Sequence, residues 1–266
     1  MNGWNEMIYG TSVEGRPLVL LHTGENPQPG SAWFIGGLHG DEPATIALLE
    51  RWMARGPVDG ACVIPCANPD GLLRKTRYNA RGVDLNRNFP HRWSTASFEP
   101  PGTHPFSESE SAALRDIIAK LAPGAVVSLH WALAEVEADG RAGNPLAQSL
   151  WDALDETQRR PYRLRLAEAS SGSGDDFCPG SLGQWCGHLL GIPMVTLELP
   201  YAPEEPRPND PLSADHWKTV QTRWSTDSEG YLRAVEPAVS AMLDAARRAI
   251  SDAAGDKPKN CDGKSF

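Results

Sequence analysis

Residues 33 to 43, Trp-Phe-Ile-Gly-Gly-Leu-His-Gly-Asp-Glu-Pro, restrict the fold more than any other stretch of the chain. Trp33, Phe34 and Ile35 form an apolar run that reads as a buried strand, and Gly36-Gly37 permits a tight turn at its end. Pro43 suits a first helical turn, where its missing N–H costs nothing. Ala44, Ile46, Ala47, Leu48, Leu49 and Trp52 continue as the apolar side of a helix. His39 and Glu42 therefore lie three residues apart at a strand end. On a helical turn that spacing aims both side chains the same way.

The same alternation recurs along the chain. Apolar strands are predicted over Pro17–His22, Ala61–Pro65, Ala125–Leu129 and Met194–Leu199. Helices are predicted from Ser107 to Leu121, over 145–160, over Leu182–Leu190 and from about Tyr231 to Ala253. Ser107 and Glu110 have the spacing of a capping box. Asn68-Pro69-Asp70-Gly71 reads as a turn. Pro200–Pro211 carries five prolines and reads as a surface loop. Strands alternating with helices predict an α/β fold with a mostly parallel sheet and helices on both faces. No repeat or long linker divides the chain, so residues 1–254 are predicted to form a single catalytic domain. The polar end, 255–266, is predicted to be a disordered tail.

A parallel sheet binds its ligands beyond the carboxyl ends of its strands. Of the histidines, His39 and His130 directly follow apolar strands, and Glu198 sits near the end of another. His39, Glu42 and His130 make a set of two imidazoles and a carboxylate, the type that holds a catalytic zinc with one position open. Water attacking at such a centre has to lose a proton, and Glu198 is the candidate base. A carboxylate on an apolar strand otherwise costs several kcal/mol unless a cation compensates it.

The stretch from Arg74 to Asn88 adds four arginines to an otherwise acidic chain of net charge −9. Arginine matches carboxylates bidentately and stabilises a developing oxyanion, so the stretch reads as an anion clamp. Asp84 is a candidate to accept the outer ring N–H of a metal-bound histidine. The net charge argues against nucleic acid or an anionic membrane as partner, and no apolar run is long enough to cross a membrane. The first residues contain no secretory signal, and five cysteines fit free thiols, so a cytoplasmic location is expected.

His39-x-x-Glu42, Asn68-Pro69-Asp70-Gly71, Arg74, Gly82-Val83-Asp84-Leu85-Asn86-Arg87-Asn88-Phe89, His130 and Glu198 together resemble the zinc metallocarboxypeptidase family. The match runs from about residue 10 to residue 200. The resemblance implies a mixed, mainly parallel eight-stranded sheet between helices. It further implies one Zn2+ per chain on His39, Glu42 and His130, with Glu198 as general base and acid. By the same resemblance Arg74 polarises the scissile carbonyl, Asn86 and Arg87 hold the substrate's terminal carboxylate, and Asp84 orients His39. The family's digestive members carry a tyrosine on a mobile loop, and no residue of this sequence is assigned that role.

Arg77-Tyr78-Asn79-Ala80-Arg81-Gly82-Val83-Asp84 and Pro179-Gly180-Ser181-Leu182-Gly183 are most similar to the branch that acts on murein peptides. That branch cuts the γ-D-glutamyl–meso-diaminopimelate bond during cell-wall recycling, which implies a small acidic murein peptide as substrate. Asp175 and Asp176 are candidates to meet the ammonium group of diaminopimelate. Three alternatives compete with this reading: an aspartoacylase- or succinylglutamate desuccinylase-like zinc deacylase, another carboxypeptidase of the same family, and a non-catalytic zinc-stabilised module that binds wall peptides.

Overall fold

The computed structural model describes residues 3–131, 133–169, 178–203 and 213–255. Asp175, Asp176, most of the proline-rich stretch and all of the predicted tail except Gly255 lie outside the described residues. Eight strands form one sheet in the order β1-β2-β4-β3-β5-β8-β6-β7. They are β1 (Asn5–Thr11), β2 (Pro17–His22), β3 (Ala32–Ile35), β4 (Ala61–Ile64), β5 (Ala125–His130), β6 (Glu135–Ala138), β7 (Arg165–Ala167) and β8 (Met194–Glu198). The centre of the sheet, β4-β3-β5-β8, is parallel throughout. Antiparallel pairings join β1 to β2, β2 to β4, and β6 to β8.

Helices cover both faces, as the apolar strands require. On one face α1 (Pro43–Ala54), α4 (Asn144–Asp152) and α7 (Ala214–Gly255) pack over Phe34, Val63, Val127 and Val195. On the other, α3 (Ser109–Leu121) and α6 (Leu182–Gln184, continuing as a π turn over Trp185–Leu189) pack over Trp33, Ile35, Ile64 and Val126. Two further short helices are α2 (Pro69–Arg74) and α5 (Glu156–Tyr162).

Several local expectations change in the tertiary context. The Ser107–Glu110 capping box does not form. Glu108 stands at the N-cap without a side-chain bond, and buried Glu110 instead accepts from the Val13 N–H and the Asn79 amide. Asn68 caps α2 by accepting from the Gly71 N–H at 2.9 Å, so the predicted turn begins a helix. The helix expected over 145–160 is two, α4 and α5. Pro200, Tyr201 and Ala202, expected in a surface loop, are buried, and Tyr231 donates to the Pro200 carbonyl. Strands β6 and β7 lie in a stretch where no strand is predicted. α7 starts well before Tyr231 and breaks at Asp227 (φ −151°, ψ 58°), whose carboxylate caps the second segment through the Gly230 N–H.

The loop that follows β3 touches helix α2 backbone to backbone. A Cβ on Gly40 would lie 2.0 Å from the carbonyl carbon of Gly71. Only a residue without a side chain permits this approach, which places His39 and Glu42 over the sheet end. Gly40→Ala is expected to lower stability by about 1–3 kcal/mol through overpacking and to weaken metal binding with it; urea unfolding and metal titration measure both.

Candidate active site

His39 and Glu42 follow β3, His130 ends β5, and Glu198 ends β8. Parallel neighbours in register bring their ends together: His130 is paired directly with Glu198 across β5 and β8. All four open on one cavity of about 500 Å³ at the carboxyl end of the parallel strands.

Within the cavity, three side chains converge. His39 Nδ1 lies 2.8 Å from Glu42 Oε1 and 3.3 Å from His130 Nδ1. Glu42 Oε2 lies 3.3 Å from His130 Nδ1 but has no hydrogen-bond donor. All three residues are buried, and their ligand atoms lie within 4.8 Å of one another. Two ring nitrogens face each other with a carboxylate between them, so one shared proton cannot satisfy every lone pair. A cation can. The outer nitrogens are already held: His39 Nε2 by Asp84 Oδ1 at 3.2 Å and His130 Nε2 by Ser128 Oγ at 3.2 Å. This is the support that metal-binding histidines require. The donor set therefore fits a metal ion, and its composition suits zinc.

The electrostatics agree. Burial and the Arg77 charge push His39 down, but Glu42 and Asp84 outweigh them and hold its pKa above the usual imidazole value. Burial opposes ionisation of Glu42, yet His39 and His130 hold it below the ordinary carboxylate range. Burial likewise opposes Asp84, which His39 and Arg77 keep ionised. Glu198 goes the other way. Burial and the negative charge of Glu42 push it up to about 8, and its Oε2 has no partner.

The arginine-rich segment divides its labour differently from the sequence expectation. Arg74 is not at the site: its side chain is 46% exposed, bonds the Ala80 carbonyl and pairs with Glu14. The cause is local. α2 ends at Arg74, Lys75 adopts a left-handed conformation (φ 53°), and the reversed chain carries Arg77 into the cavity instead. Arg77 Nε donates to Asp84 Oδ2 at 2.9 Å, fixing the guanidinium beside Glu42. Asp84 thus braces His39 with one oxygen and Arg77 with the other.

Asn86 and Arg87 line the cavity. Asn86 Oδ1 accepts from the Leu182 N–H at 2.9 Å, which leaves its amide N–H₂ to donate. Arg87 is buried; Nη1 donates to the Asn86 carbonyl at 2.7 Å, Nη2 reaches Cys178 Sγ at 3.8 Å, and Nε is buried without a partner. An unpaired buried guanidinium N–H costs free energy until an acceptor reaches it. Among the described residues, no tyrosine lines the cavity.

Sequence reasoning missed Arg77, Ser128, Glu137, Asp139 and Gln184. Ser128 was accessible, because residues two apart on a strand share a face. Arg77 lay within the segment named as a clamp, but spacing alone did not separate it from Arg74. Glu137 and Asp139 follow from β6, whose four pairings with β8 only the folded chain reveals.

Comparisons with known proteins bear on the chain as a whole. A family model described as zinc carboxypeptidase matches residues 61–133. Murein peptide amidase A of Escherichia coli (strain K12) is 32% identical over 213 residues, covering 72% of this chain and 80% of the relative. Murein peptide amidase A of Vibrio campbellii is 33% identical over 228 residues, covering 78% and 80%. The crystal structure of a murein-tripeptide amidase from Escherichia coli O157 superposes with a TM-score of 0.58 at 29% identity, covering 91% of this chain and 92% of that one. Bovine thrombin-activatable fibrinolysis inhibitor shares the fold at 20% identity, with a TM-score of 0.69 over 95% of this chain and 92% of that one.

Proposed function

This chain belongs to the zinc carboxypeptidase family, and from that premise we propose that it is a zinc-dependent amidase cutting the γ-D-glutamyl–meso-diaminopimelate bond of murein peptides. Support comes from the murein peptide amidases it resembles over four-fifths of their length. The observation that carries the reading is a single cavity holding a metal-fitting triad, a carboxyl with a raised pKa, and a buried guanidinium N–H that lacks an acceptor. A terminal carboxylate beside the scissile bond supplies that acceptor.

His39, Glu42 and His130 would hold one zinc ion. Bound there, zinc polarises a carbonyl and makes water a better nucleophile. Glu198 takes the proton from the attacking water and delivers it to the departing amine, positioned for both transfers at the end of β8 beside His130. Arg77, fixed by Asp84, donates to the oxygen on which negative charge develops. Arg87 and the Asn86 amide bind the free carboxylate next to the bond and set which amide reaches Glu198. The catalytic domain is proposed to span residues 1–254. The described cysteines Cys62, Cys66, Cys178 and Cys186 are free thiols, which supports a reducing cytoplasm as the place of work.

The test is hydrolysis of L-alanyl-γ-D-glutamyl-meso-diaminopimelate by the zinc-loaded protein, with N-acetylaspartate as the comparison. Release of diaminopimelate is expected, with one zinc per chain by elemental analysis. A chelator should abolish turnover and zinc should restore it. Hydrolysis of N-acetylaspartate alone would replace the amidase reading with a deacylase.

A further inference from the structure

An exposed aromatic ring stands at the rim of the cavity, on the side of the arginines. Among the described residues, the large apolar side chains left open to solvent are Ile8, Leu73, Phe98, Leu189 and Leu190, and Phe98 is the most exposed of them at 83%. It is also the member of that set that lines the cavity. A single exposed apolar side chain is ordinary on a protein surface. The partner of this one makes it different: the Arg87 guanidinium carbon lies over the Phe98 ring, 5.7 Å from its centroid, within the range of a cation–π contact.

The segment that carries the ring is fastened on both sides. Before it, the Ala96 N–H donates to Ser94 Oγ at 3.1 Å and the Ser97 N–H to the Ser94 carbonyl at 3.2 Å. After it, Glu99 Oε2 accepts from the Tyr78 hydroxyl at 2.7 Å, and the Pro100 carbonyl accepts from the Asp84 N–H at 2.9 Å. Trp93 Nε1 closes the loop by donating to the Pro101 carbonyl at 3.0 Å. The ring is thereby placed relative to Asp84, which also holds His39 and Arg77. Arg87 itself is bonded at Nη1 to the Asn86 carbonyl and touches the Cys178 thiol only at 3.8 Å, and its Nε has no partner. Hydrogen bonds hold part of the guanidinium, and the Phe98 ring supplies a further contact.

We propose that Phe98 is a positioning residue: its aromatic face holds the Arg87 guanidinium at the cavity and shields from water the carboxylate that pairs with it. Phe98 then sets the preference for peptides whose carboxylate beside the scissile bond is free. This deepens, and rests on, the amidase reading, in which Arg87 takes that carboxylate. An arginine–carboxylate pair open to water gains little, because solvent screens it. Apolar cover on one side lowers the local dielectric and strengthens the charged hydrogen bonds. The aromatic face adds an attraction to the cation that an aliphatic side chain of similar bulk lacks. A carboxamide in the same place carries no charge and gains little from either effect.

Isothermal titration of the zinc-loaded Glu198→Gln protein tests this apart from turnover. Two ligands are compared: L-alanyl-γ-D-glutamyl-meso-diaminopimelate, and the same peptide amidated at the carboxylate beside the scissile bond. The free acid is expected to bind at least about 10-fold more tightly than the amide, as for a desolvated charge contact. Adding Phe98→Ala should shrink that ratio about 3- to 10-fold by weakening the acid alone, the size of one cation–π contact. Phe98→Leu should behave like Phe98→Ala, and Phe98→Trp should restore the ratio. With Glu198 intact, the loss in Phe98→Ala should fall on KM more than on kcat. The side chain is exposed, so thermal unfolding of these variants should stay close to that of the parent. A ratio unmoved by Phe98→Ala, an equal loss for acid and amide, or full recovery in Phe98→Leu overturns the role of Phe98 and leaves the amidase reading standing. A ratio that moves as expected, with no hydrolysis of any γ-D-glutamyl peptide by the unsubstituted enzyme, overturns the amidase reading and leaves Phe98 in its role. No preference for the acid before Phe98 is changed overturns the carboxylate clamp and the role of Phe98 with it.

Discussion

Glu198→Gln lowers turnover of the murein tripeptide by about 10²-fold or more, the usual loss when a positioned acid–base group is removed, while zinc content and peptide affinity persist. The reasoning starts from the strand. β8 alternates, so Thr196 and Glu198 face the cavity while Val195 and Leu197 are buried in the core. Glutamine preserves shape and hydrogen bonding but cannot accept a proton. Its affinity effect is small because the carboxylate-binding groups lie on the other wall. Steady-state kinetics with elemental analysis and calorimetry separates the two quantities, and unchanged turnover would remove Glu198 from the chemistry.

The same substitution has a signed effect on the metal-free protein. A carboxyl whose folded pKa is raised keeps its proton in the folded state while the unfolded chain loses it. Its contribution therefore turns destabilising as pH rises from the ordinary carboxylate value towards about 8. Metal-free Glu198→Gln should match the parent near pH 4.5 and gain on it by at most about 1.4 kcal/mol per pH unit up to about pH 8. Thermal unfolding across that window reads the divergence.

Arg77→Ala is expected to lower kcat/KM by about 10²–10³-fold, as for the loss of one donor to a developing oxyanion, whereas Arg74→Ala changes it little. The two arginines are three residues apart, and their surroundings decide the difference. Arg74 makes a half-exposed ion pair with Glu14 that solvent screens. Arg77 is paired with fully buried Asp84 and lines the cavity. Removing it also leaves Asp84 with less compensation, so stability should fall. Arg77→Lys retains a charge and should fold better while recovering only part of the rate, since lysine cannot bridge Asp84 and an oxyanion through one planar fork. A large loss in Arg74→Ala with none in Arg77→Ala would reverse the assignment.

Much of the site was legible because its chemistry is strung on strand ends. The strand–glycine–helix turn of residues 33–43 announces a buried parallel strand, and His39, His130 and Glu198 are polar residues at the ends of otherwise apolar runs. Periodicity carries that information locally. The Arg74 assignment failed because a left-handed residue at Lys75 redirects the chain, and a single backbone reversal leaves no periodic trace. The capping box at Ser107 failed because Glu110 found stronger partners from distant segments, Val13 and Asn79.

By itself, then, the sequence determined the α/β layering, the family resemblance and the residues able to hold a metal. All of these depend on patterns within a few residues or on short motifs. The tertiary structure alone decided which arginine faces the cavity, which oxygens of Asp84 brace which neighbours, and that Glu137, Asp139 and Gln184 share a wall. Those relations join segments far apart in the chain, Asp84 to His39 and β6 to α6 among them. They arise from strand register and close glycine packing, which no local spacing encodes.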